Sequence, residues 1–293
     1  MTKEEYLVNG GLDFTVSKCK MSFVDYDGTH ETPFYCTVNS KTGEALGPVK
    51  SKYTVLQNAD LLDNILNKLE PDTYDLEQSK CGMFQGGKKV YFFIKMKSTM
   101  IITGGSDAAD VYLYALSSHD GSQRLVYGIS TRMHSCSNMF GLLMSDKDNN
   151  HVVKHTKKIS NNNTSFINEM IDRNIVGMNS MFSTMKEHEF KPSYVSELMD
   201  IIVKKTGKDG RKLPEKSIAM REDLHASIKD EIVTKGANYY GLFNGVTHYL
   251  THKHNKYTNW SPEYEMLTGN SNLYIKSCLK SIVNEMKSNA QLN

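Results

Sequence analysis

His119, Asp120 and Ser122 stand close together in the stretch "SSHDGSQRL" (residues 117–125), and these are the residue types of acyl-transfer chemistry. A hydrolytic triad needs a serine oxygen exposed on a sharp turn and a histidine oriented by a carboxylate. Neighbours on a strand or turn project in different directions, and the chain has no G-x-S-x-G elbow. The stretch is therefore read as a hairpin turn that offers short polar groups to backbone or ligand. Downstream, Cys136 with His134 has the types for a thiol nucleophile, but a catalytic base would have to come from elsewhere in the fold. His248 and His252 stand one helical turn apart in "YYGLFNGVTHYLTH", with His254 close behind. Their rings could reach one metal ion, yet no H-E-x-x-H pattern accompanies them, and a solvated or anion-facing histidine face is the preferred reading. The paired glycines of "ITGGSD" and "FQGGKK" continue into neither a phosphate loop nor a dinucleotide fingerprint. No metal and no cofactor is expected.

Basic clusters interleaved with aromatics remain. "GGKKVYFFIKMK" carries Lys88, Lys89, Lys95 and Lys97 around Tyr91, Phe92 and Phe93, and "VVKHTKK" carries Lys154, His155, Lys157 and Lys158. "KKTGKDGRKLPEK" (residues 204–216) holds six basic residues against two acidic ones. Lysine and arginine neutralise phosphates, and an aromatic face can stack a base for about 1–3 kcal/mol, a combination suited to single-stranded nucleic acid. A lysine-rich turn is more often a solvated loop, and Tyr-Phe-Phe in a strand is more often core.

The elements that must position these groups change character along the chain. In the first half, "LDFTV" (12–16), "MSFVDY" (21–26), "PFYCTV" (33–38), "KYTVL" (52–56), "KKVYFFIKM" (88–96), "VYLYALSS" (111–118) and "RLVYGIST" (124–131) read as strands separated by Gly, Asn and Asp turn signals. One helix interrupts them: Leu62, Ile65, Leu66 and Leu69 share a face, with Asn58 as N-cap and Pro71 beyond the end. From Thr164 onward the period is helical. Ile167, Ile171, Ile175, Met178, Phe182 and Met185 mark one long amphipathic helix, a second follows Pro192, and three more centre on Leu224, Leu242 and Cys278. Strands first and helices later predict an α+β protein: a β-rich domain over 1–160 containing one central helix, and a mostly helical region over 161–293 that packs on it.

With 293 residues, 39% of them hydrophobic and 23% charged, the chain can bury a core without disulfides. Its five cysteines, scattered and never in a C-x-x-C pair, read as reduced thiols. A net charge of +2 is too small to mark the whole chain as a nucleic-acid binder, so any polyanion site must be local. No run of eighteen apolar residues exists, and "MTKEEYLVNGG" does not read as a signal peptide, so a cytoplasmic protein with no membrane association is expected.

The stretches "YTVLQNADLLDNI" (53–65), "SSHDGSQRL" (117–125), "TRMHSCSNM" (131–139), "VVKHT" (152–156) and "YYGLFNGVTHYLTH" (239–252) resemble, in order, motifs of the phage and plasmid proteins grouped as domain of unknown function nine-three-two. Lys154 stands where that family usually has Arg, which keeps the charge but loses the bidentate fork, and Gly245 stands where it usually has Ala. The family's β-meander around a helix looks like the core of single-strand annealing proteins of the Rad-fifty-two type. That resemblance implies a phage-type protein of DNA recombination or replication that binds and anneals single strands as a homo-oligomer in the bacterial host cell. On this reading Arg132, Lys154 and His155 contact phosphates, with Lys157 and Lys158 alongside. Lys88 and Lys89 extend the groove, and His119 and Ser122 lie at its rim. The rivals are an enzyme acting on nucleic acid or nucleotide with His119, Asp120 and His155 brought together by folding, and a host-directed interaction protein.

Overall fold

A computed structural model describes residues 1–101, 108–133, 139–141, 151–156, 159, 166–205, 212–258 and 261–290. Antiparallel strands come first and helices follow, the α+β order expected from the change of hydrophobic period.

The chain begins with a short helix outside the expected elements, α1 (Lys3–Asn9). It exists because Thr2 and Glu5 form a reciprocal capping box and because Tyr6 and Leu7 are buried. A three-stranded sheet follows in the order β1 (Val16–Asp25), β2 (Gly28–Asn39), β3 (Ala45–Lys50). Cys19 faces Cys36 across β1 and β2, and Phe34 faces Lys50 across β2 and β3. Beyond Phe34 the sheet narrows to a two-stranded arm: Ser22 to Asp25 pair with Glu31 to Gly28, and Phe23, Val24 and Tyr26 on it are exposed.

Helix α2 (Asn58–Leu66) buries Leu61, Leu62, Ile65 and Leu66. Its N-cap is Gln57 rather than Asn58, because the Asn58 side chain is used elsewhere. "KYTVL" is not a strand. Tyr53 closes a turn on Lys50, and Thr54 finds a distant backbone partner, the carbonyl of His155. A second sheet runs in the order β4 (Tyr74–Phe84), β5 (Lys89–Ile101), β6 (Ala108–Ser118), β7 (Leu125–Met133), β8 (Met139–Gly141), with β9 (His151–Val153) also on β7. β6 is buried on both faces from Tyr114 to Ser118, so its alternation does not separate a wet from a dry side. β6 and β7 are joined by a loop of six residues instead of a two-residue Asp-Gly turn: Ser118 Oγ accepts from the Gln123 N–H at 3.0 Å and donates to the Gln123 carbonyl at 2.9 Å, closing a wider loop.

The helices are α3 (Phe166–Glu187), α4 (Pro192–Ile202), α5 (Glu215–Lys235), α6 (Tyr239–His248), α7 (Pro262–Leu267) and α8 (Asn270–Ala290), with a π-helical turn over Tyr249–Lys253. Ile167, Ile171, Met178, Phe182 and Met185 are buried on α3, the stripe that the spacing predicts. α5 and α6 approach so closely that a Cβ at Gly245 would overlap the Cα of Ile228. That contact explains why glycine occupies this position here. Among the described residues no helix is long and apolar enough to cross a membrane.

Packing divides the chain into two compact units. The first gathers Met1–Ser98, Val111–Ile129 and Asp146–Arg173, and the second Thr99–Asp110, Ser130–Ser145 and Asn174–Asn293.

Candidate functional site

Gln57 and Asn58 tie the N-terminal segment to the first unit. The Gln57 amide makes both backbone hydrogen bonds of Val16, accepting from its N–H at 2.8 Å and donating to its carbonyl at 2.9 Å. Asn58 Nδ2 donates to the carbonyls of Leu12 at 3.1 Å and Phe14 at 3.4 Å. Its amide oxygen is thereby left to accept, at 2.9 Å, from Nε2 of His119. His119 is wholly buried, edge-on to Phe14, with its N–H donating to the Lys88 carbonyl and its own carbonyl accepting from Thr37 Oγ1 at 2.7 Å. With the proton fixed on Nε2, the Nδ1 lone pair has no hydrogen-bond partner among the described residues. Burial pushes the His119 imidazole down to about 4; the nearby His155 ring pushes the same way and Asp120 opposes. The side chain is therefore neutral at neutral pH.

The expected rim position of His119 is thus corrected: it anchors the loop from beneath. Asp120, Gly121 and Ser122 form the rim in its place. Asp120 Oδ1 accepts from the Ser122 N–H at 2.9 Å, and Gly121 takes φ +72°. Ser122 is exposed. β3 carries Gly47 where this loop presses on it, since a Cβ there would lie 2.7 Å from the Asp120 Cβ.

His155 fills the other side. Its Nδ1–H donates to the Thr54 carbonyl at 3.3 Å, the Ser117 hydroxyl donates to Nε2 at 3.3 Å, and the ring stacks on Tyr53 with centroids 4.9 Å apart and planes 12° from parallel. The Tyr53 hydroxyl donates to the Ser118 carbonyl at 2.6 Å. Burial lowers the His155 pKa, which keeps the ring neutral. With both nitrogens engaged and no charge, the buried His155 ring backs the half-buried Tyr53 and does not make the phosphate contact expected of it. His119, Asp120 and His155 do converge, and Ser117 with His155 has the connectivity of a nucleophile and its base. Ser117 is only 1% exposed, however, so a substrate carbonyl has no access to its oxygen.

Pro48, Val49, Lys50, Lys52, Tyr53, Asp120, Gly121, His155 and Thr156 line a cleft of about 370 Å³. Lys50 and Lys52 are exposed, as is Lys154 beside His155, and among the described residues none of the three forms an ion pair. Lys18 supports the cleft from behind: its Nζ donates to the carbonyls of Ser51 at 2.7 Å and Tyr53 at 2.9 Å, fixing the loop that bears Lys50 and Lys52. Among the described residues Asp120 is the one acidic group in the lining, and its Oδ1 is already held by Ser122.

Among the described residues, the other expected side chains are not part of the cleft lining. Lys88 meets His119 through its backbone, as acceptor of the His119 N–H, and Lys89 sits in β5 opposite Phe84. Arg132, in β7 opposite Met139, is exposed, belongs to the second unit, and has no carboxylate partner among the described residues. Lys157, Lys158, His134 and Cys136 lie outside the described residues. His248 and His252 approach with ring centroids 4.9 Å apart, but His248 Nδ1 donates to Glu231 Oε1 at 3.2 Å; among the described residues no group of three His, Cys, Asp or Glu could hold a metal ion. Lys50, Lys52 and Tyr53 were not among the expected site residues. Their signal was "KSKY", two lysines in a turn immediately before the Tyr53 motif.

Residues 45–285 match the family model described as Domain of unknown function (DUF932). No curated protein and no solved structure matches the chain.

Proposed function

For a chain that belongs to the DUF932 family, a name that assigns no activity, we propose single-stranded DNA binding and strand annealing by a self-associating protein of phage origin in the host-cell cytoplasm. The observation that carries the reading is the cleft: three exposed lysines without ion-pair partners among the described residues, Lys50, Lys52 and Lys154, around the Tyr53–His155 stack. The lysines meet phosphates as point charges, while the aromatic wall meets the flat face of a base without regard to sequence. Asp120 Oδ2 can accept from an exocyclic base amine. Annealing requires that bases be held and released, so weak, charge-led contacts suit it. Arg132, exposed on the second unit, is a phosphate contact on its own account.

The enzymatic alternative is favoured by the convergence of His119, Asp120 and His155. It is opposed by the burial of His119 and Ser117 and by the engagement of both His155 nitrogens.

The test is fluorescence anisotropy with labelled single strands and duplexes across a salt series. Four phosphate contacts, from the three cleft lysines and Arg132, give a slope of log K against log salt of about −2.8, or roughly a fifty-fold loss between 50 and 200 mM. Lys50→Glu with Lys52→Glu should abolish binding, and complementary strands should anneal faster with wild type than with this variant. Salt-independent affinity, or a preference for duplex, would overturn the reading. Mg²⁺-dependent strand cleavage lost in His119→Ala would transfer the cleft to the enzymatic alternative.

A further inference from the structure

The arm formed by β1 and β2 ends in a turn whose composition is unlike that of a solvated hairpin. Tyr26 is 95% exposed at its tip, between Asp25 and Asp27, and Phe23, Val24 and Phe34 lie exposed along the arm. Asp25 Oδ1 accepts from the Asp27 N–H at 2.9 Å and from His30 Nε2 at 3.0 Å, which fixes the turn, and Phe23 stacks on His30 with centroids 5.1 Å apart. The tip is thus an exposed aromatic ring flanked by two carboxylates on a turn fixed by hydrogen bonds. An apolar ring of this size held out in water, on an arm with other exposed apolar residues, marks a surface made for contact.

The cleft has the complementary chemistry: Lys50, Lys52 and Lys154 around the Tyr53–His155 wall, with Asp120 able to accept from a tyrosine hydroxyl. Both surfaces belong to the first unit. The tip cannot reach the cleft of its own chain. Phe34 is in register with Lys50 at the cleft, and Gly28 lies six residues further along β2, about 20 Å away at the rise of an extended strand.

We propose that the Asp25-Tyr26-Asp27 tip of one copy seats in the cleft of a second copy, with Tyr26 against the Tyr53–His155 wall and the carboxylates on the lysines. Tip and cleft are different surfaces, so the contact is head-to-tail. Every added copy presents a fresh tip and a fresh cleft, and the assembly closes into a ring or grows as a filament. A ring between two anions also imitates a base between two phosphates. Resting on the proposed function, this makes single-stranded nucleic acid and the tip competitors for one cleft.

Sedimentation velocity over a concentration series, without nucleic acid, tests the contact. Wild type should associate at low salt and dissociate as salt rises. Asp25→Lys with Asp27→Lys should be monomeric, as should Lys50→Glu with Lys52→Glu, and an equimolar mixture of these two double variants should associate again because the charges match once more. Tyr26→Ala should weaken association at least ten-fold while strand binding is kept or strengthened, because the competing tip is lost. Its melting temperature should equal that of wild type, since the tip touches no core. A wild type that stays monomeric, or association that the tip variants leave unchanged, overturns the proposal. Adding oligothymidylate separates the two readings: dissociation of the assembly supports both, whereas an assembly that depends on the tip but does not respond to the oligonucleotide supports the contact between copies and removes nucleic acid from the cleft.

Discussion

His119 Nε2 donates to Asn58 Oδ1 at 2.9 Å, joining residues 61 positions apart inside the first unit. Removing either partner leaves a buried polar group without its bond. His119→Ala and Asn58→Ala should each cost about 2–4 kcal/mol in urea unfolding, and the double variant should cost less than the sum. Strand binding by the folded fraction of His119→Ala should remain at the wild-type level, because the imidazole does not line the cleft. Strictly additive costs would show that the two side chains do not act as a pair.

The same histidine sets a pH dependence. Its pKa in the folded protein, about 4, lies below the ordinary 6.5, so the unfolded chain binds the proton more tightly. The stability it confers is complete above pH 6.5 and falls as pH drops from 6.5 through 4, by roughly 3 kcal/mol if the difference is fully expressed. His155, also lowered by burial, acts in the same direction. Carboxylates titrate in part of this range, so the quantity to measure is the wild-type curve of stability against pH minus that of His119→Gln. A flat difference between pH 6.5 and 4 would contradict the assignment.

Gly245 makes a prediction in the second unit. With the Ile228 Cα only 2.3 Å from where its Cβ would lie, Gly245→Ala must push α5 and α6 apart. The expected destabilisation is about 1–3 kcal/mol in thermal or urea unfolding, despite the better helix propensity of alanine. A neutral or stabilising effect would mean that the helices separate without cost.

Among the described residues Arg132 has no carboxylate partner to lose. Arg132→Ala should change unfolding free energy by no more than about 0.5 kcal/mol, while lowering strand affinity and making the salt slope shallower by about 0.7. Arg132→Lys should recover only part of the affinity. A fall in melting temperature with unchanged binding would assign the side chain a structural task.

Periodicity made the helices legible because a helix is a local structure: the stripe from Ile167 to Met185 carries its own register. β3 was not legible. Gly47 and Pro48 lie inside it, and both are strand breakers until one sees that β3 is an edge strand and that Gly47 makes room for Asp120. His119 was misplaced for a related reason. Beside Asp-Gly-Ser it reads as a surface residue, and only its distant partner Asn58 shows that it is core. Lys50 and Lys52 carried only the weak signal of two lysines in a turn before Tyr53, which becomes a site only when Lys154 and His155 arrive from another part of the chain.

That distance has a consequence during synthesis. The bond from His155 to the Thr54 carbonyl spans 101 residues. A ribosome adding about 5–20 residues per second needs roughly 5–20 s to make that stretch. Throughout this interval the nascent chain displays Lys50, Lys52 and the Tyr53 ring without the His155 ring that backs them, and the Asn58 amide, 61 residues before His119 against 101, waits for a shorter time. The cleft therefore matures late in translation, after the arm and its tip have already emerged into the cell.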